Sequence, residues 1–279
     1  MARLLIFGLG YTATHLADRL RGEGWQVGGT TRDGRGGTIA FGDAARIDRE
    51  IGAATHILSS APPADERDPV LDAYGAALGR ATAWTGYLSS TGVYGDAGGA
   101  WVDESAPIGS GRRQARAVAD AAWLTLGARV FRLPGIYGPG RSPLDRVADG
   151  RAHRVDMPDQ VFSRVHVDDI VSGVIAGFDG PPGAYNLADD RPASQNAVTE
   201  FAARLLGVAP PPFVGLEVLS PMARGFYAEN RRVANGKAKR VLGWTPAYPD
   251  YRAGLRALNA ITSPISVNTP PPTASGVQR

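Results

Sequence analysis

The sequence predicts an α/β protein built on a doubly wound parallel sheet, and three observations support this prediction. Short apolar runs alternate with stretches of helical periodicity through the first half of the chain. The first apolar run ends in a glycine-rich turn that leads directly into a helical pattern. The 279 residues, 43% hydrophobic and 20% charged, have the composition of one large globular domain or two closely joined ones.

The elements of the first half follow from this alternation. Strands are expected at residues 2–7, 25–31, 38–41, 55–60, 84–90 and 128–133. Helices are expected at residues 12–21, 68–80 and 115–126. Strands that alternate with helices in this way indicate βαβ units, and βαβ units produce a parallel sheet.

The second half is less regular. A helix is expected at 166–178, a strand at 184–188, and a helix at 194–206 with Ser194 as its N-cap. We predict a nucleotide-binding core over 1–134 and a smaller lobe over 135–262 whose elements return to the core. The proline-rich segment 263–279 is expected to be a disordered tail.

Composition excludes several kinds of chemistry. The chain has no cysteine, so disulfides, thiolate catalysis and cysteine metal sites are excluded. Lysine occurs only at Lys237 and Lys239, which excludes Schiff-base or Walker-type lysines in the first 236 residues. The four histidines are not spaced as zinc ligands, and no metal site is expected.

Charge and hydropathy bear on partners and location. The net charge is +3 and the arginines are dispersed, so no nucleic-acid partner is expected. No apolar run has the ~18 residues that a membrane span needs, and the apolar start is too short for a signal peptide. We expect a cytoplasmic protein with a small-molecule substrate, no membrane partner and a homodimeric assembly.

The first turn carries the pattern G-x-G-x-x-A, with Gly8, Gly10 and Ala13 between a strand and a helix. Gly8 permits the tight turn, Gly10 lets a pyrophosphate approach the backbone, and Ala13 allows close packing of helix on strand. The helix N-terminus adds N–H donors and a positive dipole. The turn therefore predicts a Rossmann-type dinucleotide site that includes Tyr11 and Thr12.

The end of the second strand distinguishes the two nicotinamide cofactors. A carboxylate there binds the ribose 2′-hydroxyl of NAD, whereas an arginine accommodates the 2′-phosphate of NADP. The strand ends with Thr31, Arg32 and Asp33. Because Arg32 comes first, we predict NADP. The alternative is NAD, with Asp33 bent back to the ribose.

Five segments carry a family resemblance. They are Ser89-Ser90-Thr91-Gly92-Val93-Tyr94-Gly95, Arg132-Leu133-Pro134-Gly135-Ile136-Tyr137-Gly138-Pro139-Gly140, Val165-His166-Val167-Asp168-Asp169, Tyr185-Asn186-Leu187-Ala188 and Leu242-Gly243-Trp244-Thr245-Pro246. In this order they resemble the motifs of extended short-chain dehydrogenases/reductases, the NAD-dependent epimerase/dehydratase superfamily. The resemblance implies a Rossmann-type doubly wound sheet with a smaller C-terminal substrate-binding lobe.

The resemblance also implies roles for individual residues. Ser90 would hydrogen-bond the substrate oxygen, with Thr91 beside it. Asp43 would contact the adenine, and Ser60 and Ala61 would flank the middle of the cofactor. Leu133, at the end of a sheet strand, is a further cofactor contact.

The family pattern breaks at its catalytic pair, Tyr-x-x-x-Lys. No tyrosine stands four residues before either lysine. Arg112 occupies the expected tyrosine position and Arg116 the expected lysine position. Arg116 can still bind the cofactor, because a guanidinium offers five donors. Arg112 cannot replace tyrosine in proton transfer, because its pKa is above about 12.

Three hypotheses remain for function. The protein is an NADP-dependent oxidoreductase or epimerase that uses another acid, with Tyr137 or Tyr94 as candidates. It uses Arg112 or Arg113 for an anionic group on the substrate. Or it binds NADP(H) without turnover, as a sensor or scaffold. The substrate-side candidates are Arg112, Arg141, Arg164 and His166.

Overall fold

The structure, a computed structural model, describes residues 1–64, 66–111 and 114–262. The predicted tail at 263–279 lies outside the described residues, as do Arg112 and Arg113. Within the described part, no helix is long and apolar enough to span a bilayer.

The described strands are short and occur throughout the chain. They are β1 (Arg3–Phe7), β2 (Gln26–Thr31), β3 (Ile39–Ala40), β4 (His56–Ser59), β5 (Trp84–Ser90), β6 (Trp101–Val102), β7 (Arg129–Leu133), β8 (Gly135–Tyr137), β9 (Arg154–Val155), β10 (Arg164–His166), β11 (Gly183–Asn186), β12 (Phe213–Val214) and β13 (Arg232–Val233).

The described helices mostly connect these strands. They are α1 (Tyr11–Gly22), α2 (Ala44–Ala53), α3 (Pro69–Arg80), α4 (Gln114–Thr125), α5 (Pro143–Ala148), α6 (Val167–Ala176), α7 (Gln195–Leu205), α8 (Pro221–Tyr227), α9 (Gly236–Leu242) and α10 (Tyr251–Thr262).

Seven strands form one parallel sheet in the order β3-β2-β1-β4-β5-β7-β11. The chain order reverses between β1 and β4, which is the topological switch point of a doubly wound fold. The predicted fold class is therefore confirmed. The last strand, β11, comes from the C-terminal half and pairs with β7, so elements after residue 134 do return to the sheet.

The sheet is covered on both faces, and residues 4–7 of β1 are all apolar and buried. Leu4 and Ile6 pack into the cluster beneath α1 and α6, whereas Leu5 and Phe7 pack into the cluster beneath α2, α3 and α4. Alternate side chains of a strand point to opposite faces, so a strand covered on both faces must be continuously apolar.

The lobe has its own core. Side chains of α5, α7 and α10 enclose Tyr137, Leu144, Phe201 and Leu255. Pairs of short strands, β8 with β10, β9 with β12 and β6 with β13, tie the lobe together. The carboxyl ends of β1, β4, β5 and β7 meet at one edge of the main sheet, next to the start of this lobe.

Candidate nucleotide-binding and active site

The turn after β1 has the geometry that the sequence predicts. Gly8 has a φ of +84°, and a Cβ added there would lie 3.0 Å from the backbone nitrogen of Ala61. The Gly8 N–H donates to Thr30 Oγ1 at 3.1 Å, which anchors the turn on β2. Only glycine combines this φ with this close approach of the loop after β4.

Gly10 is open where Gly8 is enclosed. It is exposed, and a Cβ added there would meet no atom within 4 Å. Gly10 precedes α1 and supplies no side-chain cap, and among the described residues no acceptor takes the N–H groups of Tyr11, Thr12 and Ala13. Free N–H groups at a helix N-terminus bind anions, so the residues here fit a pyrophosphate.

Arg32 and Asp33, which follow β2, differ in the contacts of their side chains. Arg32 is exposed, and no ion pair or hydrogen bond occupies its guanidinium among the described residues. The Asp33 carboxylate accepts from Thr31 Oγ1 at 3.3 Å and from the Arg35 N–H at 3.4 Å. These bonds fold Asp33 onto its own turn, and the Arg35 N–H lowers the pKa of its carboxyl.

The other predicted cofactor residues surround the same edge. The Ser60 N–H donates to the Phe7 carbonyl at 2.8 Å, which holds Ser60 and Ala61 against the glycine turn. Asp43 is exposed and caps α2, accepting from the Arg46 N–H at 3.1 Å.

Ser90 lies at the carboxyl end of β5, beside Leu133 in the register of β5 with β7. Its Oγ accepts from the Gly92 N–H at 3.1 Å and so caps the short 3₁₀ helix Thr91–Tyr94. The capping role accounts for an acceptor lone pair of Ser90 and leaves its O–H free to donate. Thr91 is buried beside it, with no hydrogen bond to its hydroxyl among the described residues.

The region of the missing catalytic pair lies next to these hydroxyls. A Cβ on Gly111 would stand 2.8 Å from the Gly92 carbonyl, so the chain before Arg112 packs on the turn after Ser90. Arg112 itself lies outside the described residues. Arg116 is half-buried in α4 and donates to Tyr87 Oη at 3.1 Å, so this side chain is directed at β5. Burial raises the pKa of Tyr87 to about 12.

Tyr94 belongs to a buried polar network. Its hydroxyl donates to Asn186 Oδ1 at 2.8 Å and accepts from Arg132 Nη1 at 3.0 Å. Burial raises the pKa of Tyr94. Both partners are structural side chains of β7 and β11, so Tyr94 joins strands of the sheet.

Tyr137 lies in the core of the lobe. Its hydroxyl is buried, has no hydrogen-bond partner among the described residues and faces Gly254 of α10, where an added Cβ would clash with it. Burial raises the pKa of Tyr137 above its usual range. A catalytic role for Tyr137 stays a prediction, and the structure gives its hydroxyl no exposure to the crevice.

Arg164 and His166 on β10 are likewise buried. Arg164 donates to the carbonyls of Phe162 and Ala193 at 2.9 and 2.8 Å, so lobe acceptors occupy its guanidinium. His166 caps α6, and its Nδ1 accepts from the Asp168 N–H at 3.2 Å. Burial lowers the pKa of His166, which favours the neutral ring. The predicted substrate contacts of both residues remain untested.

Arg141 differs from these two because it is exposed and lies beside the phosphate turn. Its guanidinium carbon is 5.6 Å from the ring centroid of Tyr11, the first residue of α1. The Tyr11 hydroxyl donates to the Pro139 carbonyl at 3.1 Å. The turn 138–141 is thus held on the first turn of α1.

Sequence reasoning missed one arginine that shapes this edge. Arg231 Nη1 donates to the Gly95 carbonyl at 2.6 Å and pairs with Glu229 at 2.9 Å, which fixes the loop after Tyr94. Gly95 lies 136 positions from Arg231 in the chain, and no local pattern indicates such a contact. Among the described residues, no group of acidic or histidine side chains could hold a metal ion.

Comparisons with known proteins agree with this geometry. No family model matches the chain. A conserved protein of unknown function from Silicibacter pomeroyi DSS is 40% identical and has a TM-score of 0.83, with 94% of this chain and 99% of that chain covered. The human epimerase family protein SDR39U1, solved with NADPH, is 16% identical with a TM-score of 0.72, over 92% of this chain and 99% of that chain. MoeE5, solved with UDP-glucose and NAD, is 20% identical and has a TM-score of 0.73, with 93% of this chain and 98% of that chain covered.

Relatives were also found by sequence. Protein YeeZ of Escherichia coli K12 is 27% identical, over 90% of this chain and 97% of that protein. A 3-diazoavenalumate denitrifying reductase of Streptomyces is 32% identical over 142 residues, which are 47% of this chain. That match spans 46% of the reductase, about half its length.

The sheet order and these neighbours define the fold of the extended short-chain dehydrogenases/reductases, the NAD-dependent epimerase/dehydratase superfamily. The fold that the sequence motifs imply is confirmed. Within that fold, the chain belongs to the same family as the conserved Silicibacter pomeroyi protein.

Proposed function

We propose that this chain is an NADP-dependent oxidoreductase or epimerase of an atypical extended type, acting on a small carbonyl or hydroxyl compound or on a sugar nucleotide. One observation carries the proposal: the open turn at Gly10 and the hydroxyl of Ser90 lie at the same edge of the sheet, across the switch point between β1 and β4. Ligands of open α/β sheets bind in this crevice.

The residues of the crevice suit a dinucleotide. The turn from Gly8 to Ala13 would hold the pyrophosphate, and Ser60 and Ala61 would flank it. Asp43 would contact the adenine end of the cofactor, and Leu133 would contact its nicotinamide end. A nicotinamide cofactor, when bound, supplies or accepts a hydride.

The end of β2 favours NADP. Arg32 has an unoccupied guanidinium there, and such a group binds a phosphate through charge-assisted hydrogen bonds. The carboxylate of Asp33 would be needed for the ribose of NAD, but its hydrogen bonds lie within its own turn. The human neighbour solved with NADPH is consistent with this choice.

On the substrate side, Ser90 would orient the reacting oxygen by donating its O–H, with Thr91 beside it. Without the Tyr-x-x-x-Lys pair, the chain supplies no tyrosine paired with a lysine to move the proton. Acceptors that need no proton from the protein therefore suit this site. An arenediazonium ion is one, because a hydride replaces the leaving N₂ at carbon and gives the arene without proton transfer. The Streptomyces relative is named as a reductase of a diazo compound, so a diazo compound is included in the test panel.

A single-turnover experiment tests the proposal. The protein is loaded with NADPH and mixed with a panel of sugar nucleotides, small carbonyl compounds and an aryl diazo compound, and the absorbance of reduced nicotinamide is followed. Consumption of NADPH with one class supports a redox enzyme and names its substrate class. Epimerisation begins with the oxidised cofactor and consumes none, so the sugar nucleotides are also mixed with protein loaded with NADP⁺ and their products are analysed by chromatography.

The second candidate is a protein that binds NADP(H) without turnover, as a sensor or scaffold. The absence of the Tyr-x-x-x-Lys pair from the whole sequence favours it. The same experiment separates the two candidates, because a sensor binds NADPH and neither consumes it nor alters any member of the panel.

A further inference from the structure

Arg141 follows β8 in the chain, yet its side chain lies over the first residue of α1. The guanidinium carbon is 5.6 Å from the Tyr11 ring centroid, which is a cation–π distance. Among the described residues, no carboxylate or carbonyl acceptor occupies this guanidinium, and the side chain is exposed. Its five donors are therefore available to a ligand beside the turn.

Two contacts fix the turn that carries Arg141. The Tyr11 hydroxyl donates to the Pro139 carbonyl at 3.1 Å. A Cβ on Gly138 would stand 2.6 Å from both Tyr11 Oη and Val167 Cγ1, so Gly138 packs directly between α1 and α6. The backbones of Gly138 and Arg141 also bond to each other in both directions, at 3.0 and 3.3 Å. The arginine is thus presented from a rigid turn.

Tyr11 places this guanidinium close to the anion-binding end of α1. Tyr11 is the first residue of that helix, and among the described residues no acceptor takes its N–H. A ring that supports the guanidinium before the ligand arrives reduces the conformational entropy lost on binding. Pyrophosphate is the group that the proposed function places at this end.

We propose that Arg141 closes over the cofactor pyrophosphate and, together with the N-terminus of α1, forms a two-sided clamp with Tyr11 as its support. This inference rests on the proposed function and assigns Arg141 to the cofactor rather than to the substrate. It also separates two arginines by target: Arg141 binds the pyrophosphate common to both cofactors, and Arg32 binds the 2′-phosphate of NADP alone.

Equilibrium binding tests the clamp without any turnover. Affinities for NADPH, NADH and ADP-ribose are measured by fluorescence or calorimetry for wild type, Arg141→Gln and Arg141→Lys. Arg141→Gln should weaken all three ligands by a similar factor of about ten, the loss of one charge-assisted contact. The affinities of Arg141→Lys should lie between those of wild type and Arg141→Gln, because lysine keeps the positive charge but lacks the forked donors of the guanidinium. Tyr11→Leu, which removes the aromatic support, should show a smaller loss of the same pattern.

The matched control is Arg80→Gln. Arg80 is an equally exposed arginine at the end of α3, and a helix between parallel strands ends at the edge opposite the crevice. Unchanged affinities in Arg141→Gln would overturn the clamp. A loss confined to NADPH would also overturn it, because that result moves Arg141 to the 2′-phosphate. If wild type binds none of the three ligands, the proposed function itself fails and the clamp with it.

Discussion

Arg132 and Asp120 form a bidentate ion pair in the interior of the protein. Arg132 Nη2 lies 2.7 Å from Asp120 Oδ1, and Arg132 Nε lies 3.1 Å from Asp120 Oδ2. Ser89 Oγ donates to the same carboxylate at 2.6 Å. The pair joins α4 to β7 beneath the candidate catalytic hydroxyls, and both side chains are nearly fully buried.

We expect Asp120→Asn to destabilise the protein by about 3–5 kcal/mol, because it leaves a buried guanidinium without its counter-charge. Urea unfolding followed by circular dichroism measures the change. Asp149→Asn is the control, since Asp149 pairs with Arg151 at the surface, where an ion pair contributes about 0–1 kcal/mol. Equal losses in the two variants would contradict this account.

The two glycines of the phosphate turn should respond differently to alanine. Gly8→Ala should cost about 1–2 kcal/mol of stability, because its φ of +84° is strained for any other residue and its Cβ meets Ala61. Gly10→Ala should leave stability unchanged, because its Cβ meets nothing. Both should weaken cofactor binding, Gly10→Ala by filling the space for the pyrophosphate. Thermal melts and NADPH titrations of the free proteins separate the two effects.

Arg32→Ala should weaken NADPH by about tenfold and leave NADH unchanged, because only NADPH carries the 2′-phosphate. Titration of both cofactors against wild type and variant checks this. Asp33→Asn is the companion variant: a loss of NADH affinity there would favour the NAD alternative. An NADPH preference that survives in Arg32→Ala would remove Arg32 from the site.

Ser90→Ala should slow single turnover by about 100-fold, if its hydroxyl stabilises charge on the reacting oxygen. It should also cost about 1 kcal/mol of stability, because Ser90 caps the helix at Gly92. Thr91→Val, which keeps the shape of the side chain and removes its hydroxyl, measures the contribution of Thr91. NADPH affinity should hold in both variants. An unchanged turnover rate in Ser90→Ala would reduce this residue to its capping role.

Asp189 gives stability a defined dependence on pH. Burial raises the pKa of its carboxyl from 3.8 to about 8, and its Oδ2 has no hydrogen-bond partner. Because the pKa of Asp189 is higher in the folded protein than in the unfolded chain, ionisation of its carboxyl destabilises the folded state. This free-energy cost is absent below pH 3.8 and complete above about pH 8. Asp189→Asn cannot ionise, and its stability relative to wild type should rise across that range. Asp149→Asn, which removes the surface pair with Arg151, should show no such rise in urea titrations at several pH values.

The sheet could be predicted from the sequence because short segments with buried apolar residues, such as residues 4–7 of β1, alternate with segments of helical periodicity. Residues 84–90 were expected as a strand and form β5 with those bounds. The helix α2 was not expected, because only Ile47 and Ile51 mark its buried face. The glycine turn was also predictable, because its pattern lies within six consecutive residues, 8–13.

The lobe side of the site was less predictable, because its contacts join distant segments. Arg164 was named as a substrate-side candidate, and the structure shows that it donates to the carbonyls of Phe162 and Ala193, of which Ala193 lies 29 residues away. His166 was expected to face the substrate, and the structure makes it the cap of α6. The stacking of Arg141 on Tyr11 joins residues that no periodicity relates.

Strand β11 has a consequence for the architecture as a whole. It covers the outer side of β7, yet it is synthesised only after the first elements of the lobe, β8 to α6. A chain that stopped at residue 134 would expose the N–H and C=O groups of β7 as an open edge, and open edges promote aggregation. The sheet formed by residues 1–134 is therefore completed only when the C-terminal half is present, and the two halves form one folding unit.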